Sequence, residues 1–137
     1  MRFSILARLK SFQYAFAGIA FMLRTQHNAW LHLLATFGVI AAGFALHITA
    51  NDWRWLVLAI VLVWVAETIN TAFEHLCDVV QPEFHASVKR SKDIAAGAVL
   101  ICVFGAAVLG VQVFAPYLLA LYSASAFSSS ASLSLGS

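Results

Sequence analysis

The chain has 137 residues, of which 62% are hydrophobic, 13% aromatic and only 10% charged; soluble domains average roughly 25% charged residues. A mean hydropathy of +0.87 gives more apolar surface than a globule of this size can enclose, because small domains have a high surface-to-volume ratio. Lipid is the fitting solvent, which excludes a soluble enzyme, a disordered chain and a nucleic-acid module, and a net charge of +2 gives no reason to expect a polyanion partner. Cys77 and Cys102 sit in apolar or helical stretches without metal-ligand spacing and read as buried thiols.

At the N-terminus, Ile5, Leu9, Phe12, Phe16 and Ile19 recur at i, i+4, i+7, i+11 and i+14, flanked by Arg2, Arg8, Lys10 and Gln13. That stripe predicts an amphipathic helix over about residues 4–23 lying in the headgroup plane. Ala15-Phe16-Ala17 has the form of a signal-peptide cleavage site, but the apolar run after Lys10 is too short for the hydrophobic region of a signal. Three stretches then have the roughly 20 apolar residues a bilayer crossing needs: residues 29–48, 53–80 and 94–115, the last ended by Pro116. Trp30, Trp53, Trp55 and Tyr117 near span ends fit an interfacial aromatic belt. Residues 1–122 form the membrane domain, and the Ser/Ala-rich stretch 123–137 reads as a disordered extension.

Basic residues set the orientation. Arg2, Arg8, Lys10 and Arg24 precede the first span, and Lys89, Arg90 and Lys92 separate the second from the third. The positive-inside rule places the N-terminus and the second loop in the cytoplasm.

The second half of span two turns polar. Glu67, Asn70, Thr71, Glu74 and Asp78 lie at i, i+3, i+4, i+7 and i+11, on one helical face. Carboxylates at a membrane boundary cost several kcal/mol unless paired, hydrated or bound to a cation. Interhelical hydrogen bonds and a wet helix end are the plain explanation. Lys89, Arg90, Lys92 and Asp93 open span three, followed by the small residues Ala95, Ala96, Gly97 and Ala98; headgroup attraction accounts for such lysines too. Together, however, several carboxylates and several cations at one membrane face are what phosphoryl transfer requires. Gly105 and Gly110 have the first spacing of a phosphate-binding loop, but Val111 and Gln112 follow where Lys and Ser or Thr are needed, so the match is noise.

Glu67-Thr-Ile-Asn70-Thr71-Ala-Phe-Glu74 with Asp78, then Glu83-Phe84-His85, then Lys92-Asp93-Ile-Ala-Ala-Gly-Ala-Val99 closely resembles the bacterial integral-membrane lipid kinases, the diacylglycerol kinase and undecaprenol kinase family, in order and spacing over roughly residues 10–118. The resemblance implies an all-α integral membrane fold, a surface helix followed by three transmembrane helices, assembled as a homotrimer in the bacterial inner membrane. It implies transfer of the γ-phosphate of ATP to a lipid hydroxyl with Mg²⁺. By it, Glu67 is the catalytic base and Asn70 positions the reacting groups. Glu74 is a magnesium ligand; Tyr14, Asp78, Glu83, His85, Lys92 and Asp93 line the ATP site; and Asn28, His32, Glu67 and Ala96 meet the lipid.

Two positions depart from the family pattern. Gln26 stands where a metal-binding glutamate is usual, so an amide brings no charge to the ion, and Trp30 stands where an arginine is usual. Arg8 is the nearest counterpart of an arginine early in the surface helix, one position out of register. His32 serves equally as a substrate contact or as a packed interhelical histidine. The expected acceptor is diacylglycerol, giving phosphatidic acid, with undecaprenol as the alternative. Two further readings stay open: a small oligomeric ion channel or transport subunit built on the intramembrane carboxylates, and a family member that binds nucleotide without turnover.

Overall fold

Residues 4–134 are described by the computed structural model and form four α-helices joined by short turns: α1 (Ile5–Thr25), α2 (His27–Ala45), α3 (Ala50–Val80) and α4 (Ala86–Ser134). Arg2 and residues 135–137 of the Ser-rich tail lie outside the described residues. Three helices are long and apolar enough to cross a membrane: His27–Ala45, Ala50–Val80 and the first 40 residues of α4, Ala86–Ser125. At 1.5 Å per residue the 31 residues of α3 span about 46 Å, more than the hydrocarbon thickness of about 30 Å. Its second half carries the polar residues Glu67, Asn70, Glu74 and Asp78, so that end is the one suited to extend past the hydrocarbon.

α3 is the organising helix, in contact with α1, α2 and α4, and α4 packs along it as the second arm of a hairpin. The shared apolar core is small. Ile48, Leu56 and Val113 form a buried cluster, flanked by Val39, Trp53, Phe114 and Tyr117, at the end of the bundle away from the polar face of α3. Large side chains such as Leu34, Phe37, Leu100, Ile101, Phe104 and Val111 point outward. That is the pattern of helices whose solvent is lipid, where packing and hydrogen bonds hold the bundle together. α1 joins the bundle by its last turns. Met22 is buried, the Thr68 hydroxyl points to its sulfur (3.6 Å), and the Phe21 and His75 rings meet at 4.9 Å.

The turn between α2 and α3 is tied in three ways. His47 takes a left-handed backbone (φ 49°) as α2 ends, with Ile48 N–H donating to Gly43 O and His47 N–H to Phe44 O, both at 3.2 Å; this is the glycine-favouring helix stop, made here by histidine. Thr49 then caps α3, its side chain accepting from Asp52 N–H at 3.2 Å. Finally, the Tyr117 hydroxyl on α4 donates to Asp52 Oδ2 (2.6 Å) and accepts from Thr49 N–H (3.0 Å). Gly43 is buried against the Trp53 ring, where an added Cβ would lie 2.8 Å from two ring carbons.

At its far end α4 departs from the sequence expectation. It does not stop at Pro116, which lies inside the helix, and it continues to Ser134, so the segment from Ser123 expected to be disordered is helical as far as that residue. Proline costs one backbone bond and a clash with the preceding turn, a defect that membrane helices accommodate. Beyond it, Ala, Leu and Ser follow with no Gly or further Pro until Gly136, so local propensity does not end the helix.

Gly43→Ala is expected to lower the thermal midpoint of the detergent-solubilised protein, by an overpacking cost of about 1–3 kcal/mol, and His47→Gly to raise it modestly. Equal midpoints for Gly43→Ala and the wild type would contradict the close Gly43–Trp53 contact.

Candidate functional site

The polar face of α3 is covered by α2 on one side and by the start of α4 on the other, and the covering produces two adjoining clefts. The inner one, about 270 Å³, is lined by Asn28, Leu31 and His32 of α2, Glu67 and Asn70 of α3, and Ala96, Val99, Leu100 and Val103 of α4. The outer one, about 590 Å³, lies at the turn between α3 and α4 and is lined by Glu74, Asp78, Glu83, His85, Lys89, Lys92 and Asp93, with Ala96 shared between the two. Asn70 bridges them, its Nδ2 donating to Glu74 Oε1 at 3.3 Å. A third space of about 270 Å³ runs from His32 along the helices and is lined almost wholly by apolar side chains, among them Val39, Ile60, Val63, Ala107, Gly110 and Phe114.

Glu67 is the deepest polar residue, 1% exposed, with Asn70 and Thr71 buried beside it. Among the described residues its Oε2 has no hydrogen-bond partner, nor do His32 Nε2, Asn70 Oδ1 and Thr71 Oγ1. The nearest opposite group is His32, whose Nε2 lies 3.6 Å from Glu67 Oε2. Buried polar atoms left unpaired are costly, at about 1–3 kcal/mol each, and three of the four, on His32, Glu67 and Asn70, belong to residues that line the inner cleft.

In the outer cleft the charges are paired across and along helices: Lys92 Nζ with Asp78 Oδ1 and Lys89 Nζ with Asp93 Oδ2, each at 2.8 Å. Among the described residues Glu74 makes no ion pair of this kind. His85 has a second task, since its Nδ1 accepts from Ser87 N–H at 3.3 Å and so caps the start of α4. Among the described residues no group of three or more His, Cys, Asp or Glu is gathered for a metal ion. The carboxylates of Glu74 and Asp78 in one cleft with two lysines suit an ion that arrives with phosphate oxygens, because Mg²⁺ is commonly bound by one or two carboxylates plus substrate phosphates.

The expected residues therefore gather unevenly. Glu67, Asn70, Asn28, His32 and Ala96 line the inner cleft, and Glu74, Asp78, Glu83, His85, Lys92 and Asp93 the outer one. Gln26, the residue between α1 and α2, and Tyr14, 72% exposed on α1, line neither cleft. Sequence reasoning counted Lys89 among the cations opening span three without pairing it to Asp93, although the i, i+4 spacing was visible, and gave no role to Trp64 and Thr36, which meet only in the fold (Trp64 Nε1 to Thr36 Oγ1, 3.1 Å).

A helical membrane protein with a buried carboxylate in an inner cleft and a carboxylate–lysine cleft at the adjoining membrane face has the layout of an enzyme that brings a charged, water-soluble substrate to a lipid. The sequence model of prokaryotic diacylglycerol kinase matches residues 13–114, and the chain belongs to that family of membrane lipid kinases. It is 39% identical to a diacylglycerol kinase of Synechocystis over 114 residues, which are 82% of this chain and 65% of that protein. It is 34% identical to an undecaprenol kinase of Bacillus subtilis over 109 residues, 80% of this chain and 89% of that protein. A diacylglycerol kinase of Helicobacter pylori shares 29% identity over 128 residues, 88% of this chain and 96% of that protein.

Because Glu67 is buried with an unpartnered oxygen, Glu67→Met is expected to raise the thermal midpoint while Lys92→Ala, at a solvent-accessible pair, leaves it nearly unchanged. Thermal unfolding in detergent measures both, and a Glu67→Met variant less stable than the wild type would show that the carboxylate is satisfied within the bundle.

Proposed function

We propose that the protein is a lipid kinase of the bacterial inner membrane that phosphorylates diacylglycerol from ATP, with its N-terminus and both clefts at the cytoplasmic face. The observation that carries this reading is the buried, unpartnered carboxylate of Glu67 in a cleft that opens through Asn70 and Glu74 onto a second cleft of carboxylates and lysines. The concentration of Lys89, Arg90 and Lys92 at that end of the bundle supports the orientation.

In this reading the lipid headgroup occupies the inner cleft and the triphosphate the outer one. Glu67 accepts the proton of the attacking hydroxyl, as a general base within a shielded site can, and Asn28 and Asn70 hold the headgroup by hydrogen bonds. Lys92 and Lys89 turn from Asp78 and Asp93 toward phosphate oxygens and spread the charge of the transferring group. Glu74 and Asp78 would hold Mg²⁺ together with the phosphates, and the bound ion would neutralise part of their charge. Glu83 and His85 flank the remainder of the nucleotide. The mechanism gives no step to Tyr14 or Gln26 within a single chain. A homotrimer, with α1 as a helix lying on the membrane surface, agrees with the outward apolar faces of α2 and α4 and of α1.

Diacylglycerol is favoured because Asn28 and Asn70 flank Glu67 with more hydrogen-bonding groups than the lone hydroxyl of a polyprenol engages. The apolar groove beyond His32 suits an acyl chain. The second reading, undecaprenol as acceptor, is supported by the match over 89% of the Bacillus subtilis enzyme. A conducting path fits less well, since the same groove is lined mainly by Ala, Val, Leu, Ile and Phe and its Thr36 hydroxyl is already engaged by His32 O at 2.7 Å.

Two substitutions separate the roles. Glu67→Gln is expected to lower kcat by about 10²–10⁴-fold with nucleotide affinity retained, whereas Glu74→Ala abolishes magnesium-dependent nucleotide binding. The reverse pattern, in steady-state kinetics and equilibrium nucleotide binding, would overturn the assignment.

A further inference from the structure

The inner cleft contains two titratable side chains. Of its lining residues, α2 contributes Asn28, Leu31 and His32, α3 Glu67 and Asn70, and α4 Ala96, Val99, Leu100 and Val103. His32 and Glu67 face each other across it at 3.6 Å, each with the facing atom buried and without a hydrogen-bond partner. That separation exceeds a hydrogen bond, and catalytic contacts of this kind tighten when substrate binds.

The position of His32 is fixed from α3. Its ring stands edge-on to the Trp64 indole at 6.3 Å and 72°, the Trp64 Nε1 donates to Thr36 Oγ1 (3.1 Å), and the Thr36 hydroxyl donates to the His32 carbonyl (2.7 Å). Trp64 lies three residues before Glu67 on the same helix, so α3 holds the carboxylate directly and the imidazole through one aromatic neighbour.

Resting on the kinase reading, we propose that His32 is the proton relay that returns Glu67 to its basic form after each phosphoryl transfer. Transfer breaks the lipid O–H bond, forms the bond from that oxygen to the γ-phosphorus and breaks the bond from the γ-phosphorus to the ADP oxygen; the proton is left on the Glu67 carboxyl. In that state Glu67 cannot act as base again, and with its side chain 2% exposed it has no contact with bulk water. The His32 side chain is 15% exposed. The proton passes from Oε2 to Nε2, the imidazolium faces the restored carboxylate, and the ring gives up a proton from its other nitrogen, Nδ1. A packed interhelical histidine has no such duty, and a mere substrate contact acts before transfer instead of after it.

The test is His32→Ala in the full-length protein reconstituted with a diacylglycerol, followed by rapid-quench and steady-state kinetics. The relay predicts that the first turnover keeps its wild-type rate while later turnovers slow by about 10²-fold, producing a burst absent from the wild type. KM for lipid and ATP stays within about twofold, and added imidazole restores steady-state turnover with the pH dependence of imidazole itself. Loss of the first turnover to the same degree as the later ones, or a raised lipid KM that imidazole leaves unchanged, would overturn the relay. Should His32→Ala fail to fold, Trp64→Phe serves: it keeps the imidazole but removes the Thr36 donor, and the relay predicts a smaller burst of the same kind, its absence counting against it. A wild-type protein that phosphorylates no lipid at all would instead remove the kinase reading on which the relay rests.

Discussion

A carboxylate buried within a membrane-spanning bundle constrains everything around it. Ionised and unpaired, Glu67 would cost several kcal/mol, so the helices must bring it a partner, admit a ligand to it, or both. α2 presents His32 across the cleft, and α4 passes with Ala96 and Val99 beside it, the small Ala96 leaving room between them. Ala29 is fully buried one turn before His32, so α2 approaches closely there as well. The unpaired atoms that remain are an expense of stability, and in the proposed mechanism they stand where the chemistry needs them.

The two ends of the bundle are built for opposite purposes. At one end, the reversed backbone at His47, the Thr49 cap and the Tyr117–Asp52 hydrogen bond lock α2, α3 and α4 together, and Gly43 lets Trp53 lie flush against α2. At the other, the bonds are exposed ion pairs, Lys92 with Asp78 and Lys89 with Asp93, which are individually weak and readily exchanged for phosphate contacts. In the proposed kinase, a firm end and an adaptable end would let the clefts receive a charged substrate without loosening the bundle.

Much of this was legible in the sequence where a single helix carries the information. Glu67, Asn70, Glu74 and Asp78 share a face by spacing alone, and the three apolar stretches are read from length and hydropathy. Asn28 and His32 came through resemblance to a family, because nothing in the spacing within one helix says which other helix will face it. Contacts between distant segments were not legible: Lys92 with Asp78, Trp64 with Thr36, and Gly43 with Trp53 each depend on how helices pack. Pro116 misled for a physical reason, since the rule that proline ends a helix assumes water is there to take the released carbonyl. Tyr14 was placed at the nucleotide and Gln26 at the metal by family pattern, and in the single chain neither lines the clefts.

The central claim is that the two clefts together move a phosphoryl group from ATP to a membrane lipid. Its most direct test is incubation of the purified protein in mixed micelles with γ-labelled ATP and Mg²⁺, offering diacylglycerol and undecaprenol side by side and separating the lipids afterwards. The account predicts label in phosphatidic acid and none in undecaprenyl phosphate. Label in undecaprenyl phosphate alone would contradict the acceptor, and a folded protein that labels neither lipid would contradict the claim itself.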